Sequence, residues 1–381
     1  MKLIYLADQQ LDQEHSGVAK KIWMQVQAFE KAGAQVIVHS VFSSNILVRA
    51  MNKVPLVPTY PFILTRTKEF SQQVRDADGM YIRKLPINIF FVLMLRYFKC
   101  INDGLKIVME VPTFPYDNEM RSTFLDRVSL IRDRLSRRYL RHYLDRIVTF
   151  SEDEEVFGVK TIAISNGIDV QTVTKKKNTN QANDELNLVG VAALAYWHGY
   201  DRLILGLERY YKENPNTGKQ VRFHIVGTGP ELSKLKAMTQ KLNLSDYVIF
   251  YGALYGESLD RVYDGCQLAV SGLGIHRRYK DQKSSSLKSR EYCAKGIPFV
   301  KAEVDDAFDL TPFDYCLNVP MDESPIDIFD ILAFYDGLQA KYAQDEITEC
   351  MRSFADKNLS WCVQLEPVIQ FYENEDIVHP S

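Results

Sequence analysis

Residues 284–300 read SSSLKSREYCAKGIPFV, a run in which small polar residues precede a helical pattern and a short apolar strand follows. Gly296 and Pro298 end the helix, and Phe299 begins a buried strand. With helical spacing, four residues fall near one face of this helix: Leu287, Glu291, Tyr292 and Ala294. This order, small-residue loop, helix and buried strand, is typical of a parallel α/β sheet.

The same segment carries the first candidate site. A serine loop at a helix N-terminus offers unpaired backbone N–H groups and the positive end of the helix dipole, both of which suit a phosphate. Lys288 and Arg290 add positive charge in the first turn, and Glu291, one turn in, could contact a ribose hydroxyl. An ordinary capped helix with solvated charges explains the same residues, so both interpretations stay open.

Composition narrows the class of protein. The chain has 381 residues, about two domains, with 46% hydrophobic and 25% charged residues, as in a globular protein. A net charge of -3 gives no case for nucleic acid. The six cysteines form no C-x-x-C pair, which argues against zinc and disulfides and favours a reducing, cytoplasmic compartment. The apolar run 87–95 is too short to span a bilayer.

Alternation of strands and helices predicts two doubly wound parallel sheets. Residues 1–170 form the first domain, a lysine- and asparagine-rich linker covers 171–185, and residues 186–359 form the second. A final helix, 360–376, carries an apolar side from Trp361 to Tyr372.

Ligands of open parallel sheets bind at the carboxyl ends of strands, which selects several residues. Glu110 ends a strand and Asp117 lies in the loop that follows, so both could contact an incoming hydroxyl. The alternative is a charged strand end and a turn aspartate. Gly17, in a loop after the first strand, and Gly227 and Gly229, after a later one, permit close backbone approach to a ligand, or simply serve turns.

A basic helix is predicted from Glu119 to Tyr143. Its predicted apolar stripe consists of Met120, Phe124, Val128, Ile131 and Leu135. A second stripe beside it consists of Arg127, Arg134, Arg138 and Arg141. This pattern is typical of a helix at an anionic membrane surface, and equally of a packed helix with a solvated basic face. Nucleic acid is disfavoured because no aromatic residues interleave the arginines.

Five short motifs, in this order, give the chain a resemblance to a known family. They are Ser16-Gly17-Val18-Ala19, Ile164-Ser165-Asn166-Gly167-Ile168-Asp169, Trp197-His198-Gly199-Tyr200-Asp201-Arg202-Leu203-Ile204, Ile225-Val226-Gly227-Thr228-Gly229-Pro230, and Lys288-Ser289-Arg290-Glu291-Tyr292 with Gly296-Ile297-Pro298. Together they resemble the GT-B glycosyltransferases of the retaining family-four type, which assemble bacterial capsule, exopolysaccharide and O-antigen.

The resemblance implies two Rossmann-like domains that face a cleft, with a nucleotide sugar bound by the second. Gly17 would approach the donor diphosphate, and Gly227 and Gly229 would flank the base and ribose. The N–H groups that would hold the diphosphate are those of Ser285, Ser286 and Leu287. Glu291 would bind the ribose hydroxyls, the last helix would return to the first domain, and no metal or other cofactor is expected.

The chain departs from the family at two places. Ala193 and His198 occupy positions where the family usually has Arg and Lys, so Lys288 and Arg290 would have to supply that charge. Lys283 stands where the family has the glutamate that contacts the transferred sugar. Asp281 is near enough in sequence to take over that contact, so Asp281, Lys283 and His198 join Glu110 and Asp117 as catalytic candidates.

The expected activity is transfer of a hexose from a nucleotide sugar, UDP-linked by preference and GDP-linked as the second option. The acceptor is a saccharide, expected to be lipid-diphosphate-linked, which would place the protein on the inner face of the cell membrane. Two alternatives remain: a non-catalytic partner subunit of a glycosylation complex, and an epimerase, for which no acid/base pair of carboxylates is evident.

Overall fold

The computed structural model describes residues 1–12, 17–45, 48, 59–117, 124–177, 184–213, 219–278 and 285–373. The chain divides into two compact units. Unit 1 contains Met1–Ser165 and Trp361–Ser381, and unit 2 contains Asn166–Ser360. Within the described ranges, no helix is both long and apolar enough to cross a membrane.

Unit 1 is built on a seven-stranded sheet with the order β2-β1-β3-β4-β5-β7-β6. Its strands are β1 Lys2–Ala7, β2 Gln35–Ser40, β3 Gly79–Arg83, β4 Lys106–Val111, β5 Arg146–Thr149, β6 Glu155–Val156 and β7 Val159–Ala163. Its first helices are α1 Gly17–Lys31, α2 Tyr60–Leu64, α3 Lys68–Asp76, α4 Ile89–Ile101 and α5 Phe124–Arg137. All neighbouring strands are parallel except the β6–β7 hairpin.

Unit 2 is built on a six-stranded sheet with the order β10-β9-β8-β11-β12-β13, and every pair is parallel. Its strands are β8 Glu185–Val191, β9 Gln220–Val226, β10 Val248–Gly252, β11 Leu268–Val270, β12 Phe299–Lys301 and β13 Cys316–Asn318. Its helices are α6 Tyr200–Glu213, α7 Leu232–Lys241, α8 Gly256–Asp264, α9 Leu287–Lys295, α10 Asp306–Asp309, α11 Ile328–Lys341 and α12 Gln344–Asn358.

Both sheets are covered on both faces, as the strand sequences require. In β1, Ile4 and Leu6 enter one core cluster, whereas Leu3 and Tyr5 enter another on the opposite face. Successive side chains of a strand point to opposite faces, so an apolar run buries both. In unit 2, β8 divides in the same way between two clusters. The predicted fold class, two doubly wound parallel sheets, is confirmed.

The final helix, α13 Trp361–Glu373, belongs to unit 1. Leu365 and Val368 are fully buried in the cluster that also contains Phe29 of α1. The hydroxyl of Tyr372 donates to the carbonyl of Met80 in β3 at 2.9 Å. The helix is therefore fastened to the sheet by packing and by a buried hydrogen bond.

The segment predicted as a linker, 171–185, does not behave as one where it is described. The Arg352 guanidinium donates to the carbonyls of Val170 and Val173, at 2.8 Å and 2.9 Å. Lys176 is buried, and its N–H donates to the carbonyl of Lys295 at 2.9 Å. The polar composition suggested a free tether, but residues 171–177 pack on unit 2, whereas 178–183 lie outside the described residues.

Candidate functional site

In unit 2, the loops after the central strands lie together at the carboxyl edge of the sheet. The N–H of Leu194 donates to the carbonyl of Thr228 at 2.8 Å, which joins the loops after β8 and β9. The N–H of Leu273 donates to the carbonyl of His198 at 2.9 Å, which joins the loops after β8 and β11. This edge is where an open parallel sheet binds ligands.

Gly227 and Gly229 are required by this contact between loops. Their φ angles are 130° and 157°, in a region that other residues rarely adopt. A Cβ on Gly227 would lie 1.8 Å from the carbonyl oxygen of Ala192, and one on Gly229 would lie 2.3 Å from that of Leu194. The contact between the loops therefore requires glycine at both positions, independently of any ligand. That these glycines lie beside a base and ribose stays a prediction.

Helix α9 begins at this edge with an open N-terminus. Its N-cap residue, Ser286, makes no side-chain capping bond, and Leu287 is exposed. Asn166 holds the preceding residue: its N–H donates to Ser285 Oγ and its side-chain amide donates to the Ser285 carbonyl, each at 2.7 Å. The loop is thus fixed from the side while the first turn of the helix lacks a capping side chain.

Lys288 is the positive group at this N-terminus. Its Nζ is buried and makes no hydrogen bond within the part of the chain that the structure describes. It lies 5.6 Å from the ring centroid of Tyr200. Burial lowers the pKa of Lys288 to about 8, and the carboxylate of Glu303 opposes this only in part. A buried ammonium without an acceptor is costly, so this group suits an anionic ligand.

Arg290 was predicted to bind the diphosphate beside Lys288, but its guanidinium is already bonded to other residues of unit 2. It is fully buried and forms a two-point ion pair with Asp305, in which Nη2 donates to Oδ1 at 2.8 Å. Its Nε donates to the carbonyl of Asn166 at 2.9 Å. The prediction that Arg290 binds the nucleotide sugar is corrected on this point, because its guanidinium already links α9 to Asp305 and Asn166.

His198 does not supply the missing charge either. It ends a short 3-10 helix, Tyr196–His198, and its Nδ1 accepts a hydrogen bond from the N–H of Ala195 at 3.0 Å. Burial and the neighbouring Lys288 lower the pKa of His198 to about 3. The imidazole is therefore neutral at physiological pH. Because its Nδ1 accepts, its Nε2 carries the proton, so the ring can donate one hydrogen bond to a ligand but cannot neutralise a diphosphate.

Glu291 is half-buried and lies one turn into α9. The hydroxyl of Tyr263 lies 3.5 Å from its Oε1. This position, one turn beyond the helix start, is compatible with the predicted ribose contact, which stays a prediction. Asp281 and Lys283 lie outside the described residues, as does Ser16, whereas Gly17 is described as the first residue of α1.

In unit 1, Glu110 occupies the centre of a buried network. Its Oε2 accepts from Gln25 and from the Tyr81 hydroxyl, each at 2.7 Å. Its Oε1 lies 2.6 Å from Arg83 and 3.3 Å from Lys21. Burial alone would raise the pKa of Glu110, but these two cations lower it to about 2. Both carboxylate oxygens of Glu110 are buried and already bonded to these four groups, so neither is left to make the predicted contact with an acceptor hydroxyl.

Asp117 is likewise paired, with arginines of α5. Its Oδ2 lies 2.6 Å from Arg134 and its Oδ1 lies 2.8 Å from Arg137. Burial would raise the pKa of Asp117, but the two guanidinium groups hold it below its ordinary value. A fifth of the Asp117 side chain remains exposed, so it keeps limited access to solvent.

The predicted basic helix ends earlier than its pattern suggested, and residues 119–123 of the prediction lie outside the described residues. Helix α5 ends at Arg137, so Arg138 lies beyond it and Arg141 lies in the 3-10 helix Leu140–His142. Among the α5 side chains that the structure describes, 126–137, the buried ones are Leu130, Asp133 and Ser136. Ile131 and Leu135, which the pattern placed in the apolar stripe, are exposed by 59% and 54%, so this part of the stripe does not pack within the unit. Asp133 is buried because the hydroxyl of Tyr116 donates to it at 2.9 Å.

This exposed side of α5 and its C-terminal extension therefore carries both apolar and basic groups, and we call it the α5 face. Its residues are Arg127, Ile131, Arg134, Leu135, Arg138, Tyr139 and Arg141, all of which are exposed. Arg134 is the one of the four predicted arginines with an ion pair to Asp117. The remaining three are better candidates for an external contact.

Sequence reasoning missed a buried polar cluster beside α9. Ser271 follows β11, Ser289 is on α9, and Glu303 follows β12; the Ser271 hydroxyl lies 2.8 Å from both Ser289 Oγ and Glu303 Oε1. The available signal was a charged residue directly after a buried parallel strand. Across the described ranges, no group of three or more His, Cys, Asp or Glu side chains converges as a metal site would require.

Comparisons with known proteins fit this geometry. Residues 172–298 match the family model described as Glycosyl transferases group 1. This segment contains most of the loops described above, and the match indicates a transferase. No curated protein matches the chain in sequence.

Solved structures share the fold over nearly the whole chain. A glycosyltransferase from Rickettsia africae has a TM-score of 0.64 at 12% identity, covering 98% of this chain and 97% of its own. HepE from Anabaena, in complex with UDP, has a TM-score of 0.62 at 14% identity, covering 98% of this chain and 100% of its own. The E. coli trehalose-6-phosphate protein bound with UDP-2-fluoro glucose has a TM-score of 0.56 at 14% identity, covering 99% and 100%. At these identities the likeness shows a shared GT-B architecture.

Proposed function

We propose that the protein is a retaining glycosyltransferase of the family-four type, which transfers a hexose from a nucleotide sugar to a saccharide acceptor. The observation that carries this proposal is the buried Lys288 Nζ, without a hydrogen-bond acceptor among the described residues, at the uncapped start of α9. UDP is the favoured nucleotide, supported by the structures of the same fold that hold UDP or UDP-2-fluoro glucose.

The diphosphate would bind at the N-terminus of α9. Backbone N–H groups of Ser286 and Leu287 and the positive end of the helix dipole would face it, with the Lys288 ammonium beside them. When the bond between sugar and diphosphate breaks, negative charge grows on the leaving oxygen. Fixed donors placed there stabilise that charge more in the transition state than in the ground state, which is the condition for catalysis.

This chain would neutralise the diphosphate with fewer cations than its family, and without a metal. Arg290 is committed to Asp305, and His198 is neutral. Lys288 is the remaining cation that the structure describes in the first turn of α9, so a large share of the binding energy should depend on it. The same shortage favours the alternative function, a non-catalytic partner subunit, and nucleotide binding separates the two.

Thermal shift with UDP, GDP, ADP, TDP and their hexose conjugates tests the donor class. A ligand that binds the native state raises the melting temperature with the logarithm of its concentration over Kd. We expect a response to one nucleotide and its conjugates. A flat response to all of them contradicts the proposal and favours the partner subunit.

Lys288→Met tests the assigned cation. Loss of a buried charge-assisted contact should weaken nucleotide affinity at least about tenfold. Lys295→Met is the matched control, because Lys295 is buried on the same helix but its Nζ pairs with Asp260 at 2.6 Å. We expect that variant to lose stability and to keep its affinity for the nucleotide. Equal affinity of wild type and Lys288→Met would remove the site assignment.

The pH dependence of binding gives a second measurement on the same group. The pKa of Lys288 is about 8 in the free protein, so its positive charge is lost as the pH rises past that value. Nucleotide affinity of the wild type should therefore fall between pH 7 and pH 9, and that of Lys288→Met should change less. Calorimetry at several pH values, in buffers of matched ionic strength, provides the comparison.

We further propose that the acceptor is lipid-diphosphate-linked and that the α5 face binds the inner surface of the cell membrane, as in capsule, exopolysaccharide or O-antigen assembly. The support is the exposure of Ile131 and Leu135 beside basic side chains, an arrangement suited to an anionic lipid surface. A solvated helix would more often expose polar residues at those two positions.

Vesicle sedimentation tests the membrane contact. The triple variant Arg127→Glu, Arg138→Glu, Arg141→Glu leaves the Arg134–Asp117 ion pair intact and should release the protein from vesicles that contain phosphatidylglycerol. Pure phosphatidylcholine vesicles are the control, and should bind wild type weakly. If wild type does not sediment with phosphatidylglycerol vesicles, the membrane proposal is wrong and the donor proposal is unaffected.

A further inference from the structure

Glu303 lies at the same carboxyl edge of unit 2 as the start of α9, two residues after β12. The N–H of Ala302 donates to the carbonyl of Gly272 at 2.9 Å, and that of Ser271 donates to the carbonyl of Val300 at 2.9 Å. These bonds hold the chain after β12 against the loop after β11. The hydroxyl of Ser271 in turn lies 3.5 Å from that of Ser286, the N-cap of α9.

The two carboxylate oxygens of Glu303 have different surroundings. Oε1 accepts from the hydroxyls of Ser271, at 2.8 Å, and Ser289, at 3.4 Å. Oε2 is buried and has no hydrogen-bond partner in the described part of the chain. Such an unsatisfied buried oxygen is expensive unless a ligand or water completes its bonding.

A glycine leaves room at this unpaired oxygen. A Cβ on Gly272 would lie 2.6 Å from Glu303 Oε2, closer than nonbonded atoms approach. Any other residue at 272 would crowd the oxygen or displace the carboxylate. The backbone thus admits Oε2 to this position, while the two serines prevent the other oxygen from turning away.

Lys288 and Glu303 influence each other but do not form an ion pair. The carboxylate raises the pKa of Lys288, and Lys288 lowers that of Glu303 against the larger effect of burial. Two neighbouring groups, the Lys288 ammonium as donor and Glu303 Oε2 as acceptor, therefore have no hydrogen-bond partner among the described residues. A nucleotide sugar presents complementary groups in that order: diphosphate oxygens accept hydrogen bonds, and hydroxyls of the attached ring donate them.

We propose that Glu303 Oε2 accepts a hydrogen bond from a hydroxyl of the transferred sugar, and that Glu303 thereby helps to select the donor sugar. The proposal rests on the proposed function, since it places the sugar beside a diphosphate bound at Lys288. It gives to Glu303 a contact with the transferred sugar, which the family makes through the glutamate that Lys283 replaces and for which the sequence offered Asp281. The serines hold the carboxylate through Oε1, and the sugar hydroxyl completes the hydrogen bonding of Oε2.

Calorimetry of Glu303→Gln distinguishes a sugar contact from a diphosphate contact. The probes are UDP-glucose, UDP-galactose and GDP-mannose; whichever binds wild type most tightly is compared with its own free diphosphate. We expect the affinity for the free diphosphate to stay within about twofold and that for the nucleotide sugar to fall about tenfold or more. The proposal is overturned if Glu303→Gln loses affinity for the free diphosphate and for the nucleotide sugar by the same factor, or if neither affinity changes.

Asp309→Asn is the matched control. The Asp309 carboxylate belongs to the same segment but is satisfied by Lys301 Nζ at 2.7 Å and by the N–H of Asp305 at 2.6 Å. That variant should keep the affinity ratio between nucleotide sugar and diphosphate. If it lowers the ratio as far as Glu303→Gln does, the effect comes from distortion of the loop, and the proposal is wrong.

Wild type offers a measurement that needs no variant to fold. Deoxy analogues of the tightest-binding nucleotide sugar, each without one sugar hydroxyl, are titrated into wild type. We expect one analogue to bind about tenfold more weakly than the parent nucleotide sugar. Glu303→Gln should bind that analogue and the parent with equal affinity. If every analogue binds wild type as tightly as the parent, no hydroxyl makes the contact. If wild type binds neither diphosphate nor nucleotide sugar, the proposed function fails first, and this proposal with it.

Discussion

Each unit buries a glutamate at the carboxyl edge of its sheet, and the two carboxylates differ in how many hydrogen-bond and ion-pair partners they have. Glu110 in unit 1 and Glu303 in unit 2 are exposed by 0% and 3%. The groups that donate to Glu110 are Lys21, Gln25, Tyr81 and Arg83. Glu303 receives two serine hydroxyls on one oxygen, and its second oxygen has no partner within the described ranges.

The difference in partners reverses the sign of the pKa shift. Burial raises the pKa of both carboxyls, but Lys21 and Arg83 overcome it and lower that of Glu110 to about 2. At Glu303 burial prevails, and its pKa stays raised. A saturated buried carboxylate contributes to stability and has nothing left for a ligand. An unsatisfied one costs stability and keeps an acceptor for binding.

Removal of the saturated carboxylate should have the largest effect. Glu110→Ala leaves the buried Lys21 and Arg83 charges without their partner, and we expect the free energy of unfolding to fall by about 3–5 kcal/mol. Urea denaturation followed by circular dichroism measures it. Asp117→Ala, which breaks partly exposed ion pairs, is the control and should cost about 1 kcal/mol or less. Comparable losses in the two variants would show that Glu110 is no more structural than Asp117.

Acid should remove the same contribution in wild type. The folded-state pKa of Glu110 is lowered from 4.5 to about 2, so its contribution is present above pH 4.5 and is lost as the pH falls through about 2. A shift of this size corresponds to about 3 kcal/mol. We expect the difference in unfolding free energy between wild type and Glu110→Gln to be constant from pH 7 to pH 5 and to narrow below that. A difference that does not change with pH would contradict the ionised state of Glu110.

Ser271→Ala should lower the free energy of unfolding by an intermediate amount. It removes a donor from Oε1 of Glu303, whose other carboxylate oxygen has no donor among the described residues. The hydrogen bond from Ser271 to Glu303 Oε1 measures 2.8 Å, and its loss should cost about 1–2 kcal/mol of stability. Ser285→Ala is a control on the same edge but outside this cluster. Urea denaturation of both variants supplies the test, and no change in Ser271→Ala would mean that the serine does not hold the carboxylate.

The fold was largely predictable from the sequence, since strands with two buried faces and helices with one give distinct patterns. The exceptions have physical causes. Residues 171–177 are polar yet packed, because Arg352 donates to the carbonyl of Val173 and Lys176 is buried. Helix α5 buries Asp133 and exposes Ile131, since Tyr116 provides the partner that makes a buried aspartate tolerable. Such pairings depend on tertiary contacts that local periodicity does not reveal.

The candidate site was predictable in position but less so in detail. The loop before α9 was selected because serines, a lysine and a helix start coincide there. Arg290 was assigned to a ligand because its partner, Asp305, lies fifteen residues farther along the chain, after a strand. Glu303 was overlooked for a related reason: a charged residue after a buried strand was visible in the sequence, but its contact with Ser271 depends on the register of β12 against β11.

The smallest effect is expected for Glu303→Gln in the absence of ligand, and its sign completes the comparison. The folded-state pKa of Glu303 is raised, so the carboxyl favours folding while protonated and loses that contribution as the pH rises through the folded-state value. The glutamine does not titrate. Relative to wild type, Glu303→Gln should therefore gain stability with rising pH, by up to about 1 kcal/mol at neutral pH.

Urea denaturation at pH 5 and pH 8 measures this gain, with Glu110→Gln in parallel as the opposite case. Glu110→Gln should be less stable than wild type at both values, because it gives up a charge that its neighbours stabilise. If Glu303→Gln is also destabilised at pH 8, by as much as Glu110→Gln, the second oxygen of Glu303 has a partner in solution. The contrast between a structural and a ligand-binding glutamate would then be lost.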